Sequence, residues 1–384
     1  MNKTVQKNKN SGSPKKMHLI LCRPGFAGTL ASELQDRWGI VGEVVHKAAV
    51  AVPDGVKLPP LGDTVFARQY LPLAMRHTGE DAAGVVDLVM ARLAVLSKRD
   101  NYKPGRWTMH SFAIDDDPGI ARGAKLEQAV MVSMRGKMQA VARRHVAPEV
   151  FAEGAGEVGD LLIQIFVASP DEAWVSIAPR TAGMAPHVGG IQRMRATPGA
   201  PSRSSSKLSE ALEVLRVIGV EPKVGETAVD LGAAPGGWTL VMMRHGVDVT
   251  AVDHAELDLP KDKGGKTKNF GRVIHVKENG LKFRPVEMVD WLCCDMVMGS
   301  RQTLEVLGAW LKEGLMRNFV VNIKLPQATE NSWPAVKEAF ELFEVHRPGW
   351  KVMRARHLFH DRNEVTLMGA VKAGGSGVGD VTSA

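Results

Sequence analysis

The stretch A-V-D-L-G-A-A-P-G-G-W-T, residues 228–239, places a short apolar run before a glycine-rich turn and a helix-compatible segment. This is the order of a buried strand, a ligand-binding turn and a helix. Glycines let the backbone approach a ligand closely. The acid Asp253 ends the next apolar run about 20 residues after Gly232, a spacing at which a carboxylate can bind ribose hydroxyls.

Two common nucleotide-binding motifs are absent from this stretch. Three residues separate Gly232 from Gly236, so the dinucleotide pattern G-x-G-x-x-G does not fit. No Gly-Lys-Ser/Thr follows, which excludes a Walker A loop. A glycine-rich turn alone can be merely structural, but the strand, the turn, the helix and Asp253 together favour S-adenosylmethionine as the ligand.

Outward from this stretch, residues 207–371 alternate between strand and helix patterns, which predicts an α/β, Rossmann-like doubly wound sheet. The predicted strands are Thr227–Leu231, Val247–Asp253, Arg272–Val276, Val289–Asp295, Asn318–Lys324, Lys351–Leu358 and Glu364–Val371. The predicted helices are Leu208–Val217, Trp238–His245, Gln302–Lys312 and Pro334–Phe343.

The N-terminal half has a different pattern. Its first part predicts a strand at His18–Cys22, a helix at Phe26–Trp38 and strands at Val41–Val52 and Thr64–Leu71, a βαββ order typical of a ferredoxin-like module. Its second part predicts a helix at Ala82–Leu96, a strand at Arg106–Ile114, a long basic helix at Ala121–His145 and strands at Leu161–Ala168 and Ala173–Ile177.

Charge is unevenly distributed along the chain. The formal net charge is +7, but five lysines lie within residues 1–16, so overall basicity indicates little about nucleic acid. Residues 173–209 contain no acid but five cations, and we expect this segment to contact an RNA backbone rather than to be only a solvated linker. The arginines expected to bind RNA are Arg180, Arg193, Arg195 and Arg203.

Several classes of protein are excluded by composition. Three cysteines cannot form a disulfide framework or a four-cysteine zinc site. The basic first 16 residues lack the apolar region of a signal peptide, and no apolar run reaches the length of a membrane span. We therefore expect a soluble, cytoplasmic protein in a reducing compartment.

Seven segments resemble the ribosomal RNA 2′-O-ribose methyltransferases of the FtsJ type. They are residues 228–239, A-P-S-R-S-S-S-K-L (200–208), W-L-C-C-D-M-V (291–297), V-N-I-K-L-P (321–326), H-D-R-N-E-V-T (360–366), C-R-P-G-F (22–26) and F-A-R-Q (66–69). In their order and spacing they are most similar to the members that methylate a cytidine of 23S rRNA. The resemblance implies an N-terminal half made of a ferredoxin-like and a THUMP module.

The resemblance and the composition together divide the chain into six segments. These are a disordered basic tail (1–16), a ferredoxin-like domain (17–81), a THUMP-like RNA-binding domain (82–178), a basic linker (179–200), the methyltransferase domain (201–372) and a flexible tail (373–384). The implied substrate is 23S rRNA before full subunit assembly, and the implied enzyme is a monomer without a metal.

The resemblance also implies a set of S-adenosylmethionine contacts. They are Ser204, Gly232, Ala234, Pro235, Gly236, Gly237, Trp238, Asp253, Asn279 and Asp295. Asn279 stands where the family usually has an aspartate near the adenine, and an amide can still form a hydrogen bond there. Ala234 replaces a common cysteine, which a backbone contact would tolerate.

Four ionisable residues stand out by position: Lys207, Asp295, Lys324 and Glu364. Asp295 and Lys324 end predicted parallel strands, and Glu364 returns to the same edge if the last strand is antiparallel. They match the K-D-K-E tetrad of the family. We expect Lys324 to accept the ribose hydroxyl proton, with its pKa lowered by Lys207 against the opposing effect of Asp295 and Glu364. Asp295 would hold Lys324 and border the methionine end of the cofactor, and Glu364 would brace Lys207 and the ribose.

Three alternatives remain at this point. The chain could be an FtsJ-type enzyme that acts on another RNA site, or a non-catalytic rRNA-binding assembly factor. A metal hydrolase built on His357 and His360 is the weakest alternative, because this His-x-x-His pair has no partner cysteine.

Overall fold

A computed structural model describes residues 16–98, 106–113, 128–129, 132–133, 160–181, 184–260, 270–326 and 331–372. These residues form two compact units. The first unit lies within residues 1–27, 34–61 and 67–190, and the second lies within residues 28–33, 62–66 and 191–384. The predicted helix Ala121–His145 and the two predicted tails fall almost entirely outside the described residues.

The first unit contains one seven-stranded sheet in the order β2-β3-β1-β4-β7-β6-β5. Its strands are β1 (Met17–Leu21), β2 (Glu43–His46), β3 (Ala49–Pro53), β4 (Gln69–Thr78), β5 (Trp107–Ala113), β6 (Leu161–Ser169) and β7 (Glu172–Pro179). Its helices are α1 (Ala27–Trp38), which extends into the second unit, and α2 (Ala82–Ser97).

Strand β4 joins the strands before the predicted domain boundary at residue 81 to those after it in a single sheet. Its first part pairs with β1 and its last part, from Met75, pairs with β7. Leu73, with a left-handed φ of 51°, lies in the part paired with β1, at the point where the register shifts between Leu71 and Ala74. Helix α2 covers one face of β6 and β7, with Val86 and Val89 packed in one buried cluster with Ile163 and Ile165.

Two predicted strands of this half were wrong in their bounds. Val41–Val52 is a hairpin of β2 and β3, joined by a turn at Lys47 and Ala48. Thr64–Leu71 becomes a strand only at Gln69. Before it, the backbone amides of Val65 and Phe66 donate to the Glu33 carboxylate instead of to a neighbouring strand, at 2.6 and 3.0 Å.

The second unit contains the predicted doubly wound sheet, in the order β10-β9-β8-β11-β12-β14-β13. Its strands are β8 (Thr227–Leu231), β9 (Asp248–Val252), β10 (Val273–Val276), β11 (Val289–Cys294), β12 (Met316–Lys324), β13 (Trp350–Arg356) and β14 (Glu364–Val371). Its helices are α3 (Ser205–Arg216), α4 (Gly237–Arg244), α5 (Ser300–Glu313) and α6 (Trp333–His346).

Helices cover both faces of this sheet. Val320 belongs to the buried cluster formed with α3 and α4, whereas its neighbour Phe319 contacts Phe343 of α6, with ring centroids 6.2 Å apart. Successive residues of a strand point to opposite faces, so α3 and α4 lie on one face and α6 on the other. Strands β10, β9, β8, β11 and β12 are parallel, and β14 is antiparallel to β12. The predicted α/β doubly wound sheet of this half is confirmed.

Candidate active site

The carboxyl edge of the second sheet brings the predicted catalytic residues together. Strands β11 and β12 end at this edge, and they deliver Asp295 and Lys324. Because β14 is antiparallel, it begins at the same edge, and Glu364 lies directly opposite Lys324 in the register. Lys207, on the first turn of α3, completes the group. Residues separated by up to 157 positions therefore meet at one site.

The four side chains form a closed ring of alternating charge. Lys324 Nζ donates to Asp295 Oδ1 at 2.9 Å and to Glu364 Oε1 at 2.7 Å. Lys207 Nζ donates to Glu364 Oε2, and it lies 3.4 Å from Asp295 Oδ2. Side-chain exposure ranges from 13% for Lys207 to 24% for Lys324, so the ring is largely buried but open to a ligand. Two cations and two carboxylates make the ring neutral overall.

This ring determines the direction in which the pKa values move. Burial alone would lower the pKa of the Lys324 ammonium, but the charge of Asp295 and the hydrogen bonds to Glu364 and Asp295 outweigh it, and the pKa is raised. Burial would likewise raise the pKa of the Glu364 carboxyl, but hydrogen bonds from Lys207 and Lys324 lower it. The expected lowering of the Lys324 pKa is thus wrong for the protein without ligands, because the two carboxylates outweigh the effect of burial.

Sequence reasoning missed three polar residues behind this ring. Asn322 Nδ2 donates to Asp295 Oδ1 at 3.1 Å, and Thr366 Oγ1 lies 2.7 Å from Asn322 Oδ1. Asp361 lies 3.0 Å from Thr366 Oγ1 through Oδ2, and its side chain is fully buried, like those of Asn322 and Thr366. For Asn322 and Thr366, a polar side chain inside an otherwise apolar strand was the available signal, whereas Asp361 lies on the loop before β14.

The glycine-rich turn lies beside the ring on the same edge. Gly232 follows β8 with φ of 75°, and a Cβ there would lie 3.1 Å from the Met296 Cα, next to Asp295. Gly236 has φ of 111°, which an L side chain rarely adopts. A Cβ on Gly237 would overlap Ser202 Oγ and lie 3.0 Å from Ser204 Oγ. The turn therefore packs so closely against Met296, Ser202 and Ser204 that a Cβ would displace them, and we call this turn, residues 232–237, the glycine cradle.

The neighbouring predicted cofactor residues surround this cradle. Trp238 Nε1 donates to the Ser204 carbonyl at 2.9 Å, which ties α4 to the start of α3. The Asp253 carboxylate accepts hydrogen bonds from the backbone amides of Ala234, at 3.1 Å, and Ala255, at 2.9 Å. It therefore ties the glycine-rich turn after β8 to the end of β9. Pro235 accepts a hydrogen bond from the Asp258 amide at 2.8 Å.

Asn279 lies on the loop after β10 and is exposed. Its Oδ1 accepts a hydrogen bond from the Leu281 amide at 3.0 Å. A Cβ on the next residue, Gly280, would lie 3.6 Å from Leu231 Cβ and 3.0 Å from Met296 Sδ. The loop thus passes the carboxyl end of β8, where a ligand in the cradle would meet it.

The arginines of the acid-free segment differ in their surroundings. Arg193, Arg195 and Arg203 are exposed in the second unit, and Arg180 is half-buried in the first. The Arg193 guanidinium lies over the Phe359 ring, 5.4 Å from its centroid. Phe359 precedes His360, whose backbone amide and Nδ1 contact the buried Glu210 carboxylate at 3.0 and 2.7 Å.

Neither histidine of the His-x-x-His pair lies in a metal-binding arrangement. His357 Nε2 contacts the Arg362 carbonyl at 3.1 Å, and His360 contacts Glu210. Within the described residues, no group of three or more His, Cys, Asp or Glu side chains is arranged to hold a metal ion. No helix in that part of the chain is long and apolar enough to cross a membrane.

Comparison with known proteins adds independent support. The FtsJ-like methyltransferase family matches residues 200–368. Ribosomal RNA large subunit methyltransferase M of Xanthomonas oryzae pv. oryzae (strain PXO99A) is 32% identical over 367 residues, which cover 91% of this chain and 98% of that protein. The protein of the same name from Xanthomonas axonopodis pv. citri (strain 306) is 33% identical over 374 residues, with the same coverage.

Solved structures are less similar. TrmN from Thermus thermophilus is 16% identical, with a TM-score of 0.33 over 92% of this chain and 100% of that chain, and this likeness is too small to support any argument. The identity to the curated relatives, in contrast, extends over nearly their whole length and confirms the family resemblance seen in the motifs. The chain therefore belongs to the ribosomal RNA large subunit methyltransferase M family and carries an FtsJ-like methyltransferase domain.

Proposed function

We propose that this chain methylates the 2′-oxygen of a cytidine ribose in 23S rRNA, with Lys324 as the proton acceptor. As a member of its family the chain is an rRNA methyltransferase, and S-adenosylmethionine is its cofactor. The observation that supports the 2′-oxygen as the target is the ring of Lys207, Asp295, Lys324 and Glu364 beside the glycine cradle. A weakly acidic hydroxyl needs such a positioned base, whereas a more reactive ring nitrogen does not.

The cradle residues fit the cofactor. Its bare backbone at Gly236 and Gly237, the Ser204 hydroxyl and the Asp253 carboxylate would hold the nucleoside and methionine parts, with Asn279 near the base. When bound, S-adenosylmethionine supplies the methyl group as an electrophilic sulfonium. Asp295 follows β11 directly and lies next to Met296, which borders the cradle, so its carboxylate would face both the cofactor site and Lys324.

Lys324 would act in its neutral form. Its raised pKa means that it is an ammonium at rest near neutral pH, so a proton must leave to solvent before the amine can take one from the ribose hydroxyl. Asp295 and Glu364 keep the amine in place during both events. Lys207, bound to Glu364, would orient the ribose and limit the negative charge that Lys324 experiences.

The other parts of the proposal concern the RNA and the chain's organisation. We assign RNA-backbone contact to Arg180, Arg193, Arg195 and Arg203, because cations without neighbouring acids suit phosphates. Residues 17–81 and 82–178 would be the ferredoxin-like and THUMP-like modules that present the rRNA before full subunit assembly. The enzyme would act as a monomer in the cytoplasm.

A pair of substitutions tests the role of Lys324. In Lys324→Met, the affinities for S-adenosylmethionine and RNA should persist while the single-turnover rate falls by about 10² or more. Lys324→Arg should be nearly as damaging, because a guanidinium stays protonated. Lys223→Met is a matched control, since Lys223 is exposed before β8 at the opposite edge of the sheet. A near-normal rate for the arginine variant would make Lys324 an orienting group.

The pH dependence tests the same assignment independently. If the neutral amine is required and its pKa is raised, the wild-type rate should rise about tenfold per pH unit across the neutral and mildly alkaline range. A rate that does not depend on pH would contradict proton acceptance by Lys324. Mapping the 2′-O-methyl groups on 23S rRNA from cells with and without this protein would identify the nucleotide.

A further inference from the structure

A chain of three fully buried polar side chains connects the catalytic ring to the interior. Asn322 lies on β12, two residues before Lys324, and Thr366 lies opposite it on β14, two residues after Glu364. Asp361 lies on the loop before β14 and contacts the Thr366 hydroxyl at 3.2 Å and 3.0 Å through its two oxygens. Buried polar groups without defined donors and acceptors are costly, so the position of each hydrogen matters.

The catalytic ring fixes which atom of Asn322 faces Asp295. Asp295 Oδ1 accepts from Lys324 Nζ and has no hydrogen to offer, so only the amide nitrogen of Asn322 can face it. The Asn322 oxygen must then point the other way, towards Thr366 Oγ1 at 2.7 Å. That oxygen can only accept, so the single hydroxyl hydrogen of Thr366 is donated to Asn322.

The contact between Thr366 and Asp361 is determined by the number of hydrogens that the two side chains can donate. Once Thr366 has donated its hydrogen to Asn322, an ionised Asp361 would place two acceptor oxygens against a hydroxyl with nothing left to donate. A protonated Asp361 carboxyl resolves this, because it donates to Thr366 Oγ1. The Asp361 Oδ2 atom also accepts from the Leu358 amide at 3.0 Å.

We propose that Asp361 holds a proton which completes the hydrogen-bond chain through Thr366 and Asn322, so that Asn322 is held in the orientation that positions Asp295 beside Lys324. This inference rests on the proposed function, because it concerns the same Lys324. Asn322 and Lys324 share Asp295 Oδ1, so the amide takes up part of the negative charge that would otherwise hold the proton on Lys324. Asp361, Thr366 and Asn322 are positioning residues.

The charged surroundings of Asp361 agree with a neutral carboxyl. Burial raises its pKa well above the ordinary value, the Leu358 amide opposes this rise, and Glu210 of α3 and Glu364 of β14 add to it. Lys207 of α3 is the cation that opposes the rise. His360, in the same loop as Asp361, contacts Glu210.

Infrared spectroscopy tests the proton directly. A protonated carboxylic acid has a carbonyl-stretch band that a carboxylate lacks. The wild-type protein at about pH 7, where burial keeps Asp361 neutral, should have such a band that disappears in Asp361→Asn. Asp230→Asn serves as the control, because it should remove a separate contribution from another buried carboxyl, whose pKa is raised to about 7. If the wild-type and Asp361→Asn spectra do not differ in this region, Asp361 is ionised and the inference is wrong.

A matched pair at Thr366 tests the functional consequence. Thr366→Val deletes the hydroxyl and keeps the shape, and we expect the single-turnover rate to fall about tenfold, the scale of one hydrogen bond, with unchanged S-adenosylmethionine and RNA affinities. Thr366→Ser keeps the hydroxyl and should restore the rate to within about twofold, although it removes a buried methyl and should lower thermal stability. A merely structural role would give the opposite, with the rate following the melting temperature rather than the hydroxyl.

The outcomes separate this inference from the function on which it rests. A wild-type rate that does not rise with pH contradicts proton acceptance by Lys324. A wild-type rate that rises with pH, together with a Thr366→Val rate equal to wild type, leaves that function intact and overturns the positioning chain. Equal losses in the valine and serine variants would also overturn it.

Discussion

Asp230 gives the most quantitative prediction. It lies on β8, directly before the glycine cradle, is 1% exposed and accepts a hydrogen bond from Thr239 Oγ1 of α4 at 2.6 Å. Burial raises its pKa from 3.8 to about 7, the Thr239 hydroxyl opposes the rise, and the charges of Asp295 and Asp253 add to it. In Asp230→Asn the side chain stays neutral at every pH, and its oxygen can still accept from Thr239.

The sign of the pH effect on the free energy of unfolding follows from the number of protons bound in the folded and unfolded states. Below about pH 4 the Asp230 carboxyl is protonated in both states and contributes nothing. As the pH rises, the unfolded chain loses this proton first, so the free energy of unfolding of the wild type falls until the folded carboxyl ionises near pH 7. A shift of about 3 pKa units at about 1.36 kcal/mol per unit corresponds to about 4 kcal/mol in total, of which about 2 to 3 kcal/mol falls between about pH 5 and pH 8.

Urea unfolding of both proteins over this pH range measures the effect, because titrations common to both cancel in the difference. Relative to wild type, Asp230→Asn should gain stability as the pH rises. Asp290→Asn is a control whose stability difference from wild type should stay constant over this range. Burial would raise the pKa of Asp290, but hydrogen bonds from Thr227 and Arg317 lower it below its ordinary value of 3.8, so the stabilisation by its carboxylate is fully present above about pH 5 and is lost only at more acidic pH. If the free energies of unfolding of wild type and Asp230→Asn changed in parallel with pH, the raised pKa of Asp230 would be refuted.

Three further predictions concern ligand binding. Asp253→Ala should weaken S-adenosylmethionine binding in calorimetry by about tenfold or more while RNA affinity stays nearly unchanged, because its carboxylate fixes the cradle; undiminished cofactor affinity would contradict this placement. Gly237→Ala should also weaken cofactor binding, since its Cβ would overlap a serine hydroxyl, whereas Gly55→Ala, with open space around it, should not. Arg193→Gln with Arg195→Gln should lower the slope of log RNA affinity against log salt by about one to two, and an unaltered slope would mean that they do not contact phosphates.

Much of the second unit could be predicted from its sequence. Strand β8 has the predicted bounds, and β14 returns antiparallel to the carboxyl edge, which is the condition under which Glu364 joins the site. These strands are short apolar runs bounded by glycine or charge, so their local pattern and their buried environment agree. The motif positions of Lys207, Asp295 and Lys324 then fix the site through the topology alone.

The remaining errors arise where distant residues decide a local property. Thr64–Leu71 reads as a strand, but Glu33 satisfies the amides of Val65 and Phe66 from 32 and 33 residues away. The direction of the Lys324 pKa shift depends on which of its neighbours lie within hydrogen-bond distance. Sequence order contains neither of these facts.

The buried chain behind the catalytic ring shows what a closer reading of strand periodicity could have found. Side chains two residues apart in a strand point to the same face, so Asn322 shares a face with Lys324, and Thr366 shares one with Glu364. Because Lys324 and Glu364 are opposite each other in the antiparallel pair, Asn322 and Thr366 must be opposite each other as well. A buried amide and a buried hydroxyl on facing apolar strands need each other as hydrogen-bond partners. The pairing of Asn322 with Thr366 could therefore be predicted from the segments V-N-I-K and E-V-T, once β14 is assumed to run antiparallel beside β12. Asp361 could not be found in this way, because it lies on a loop whose path no periodicity predicts.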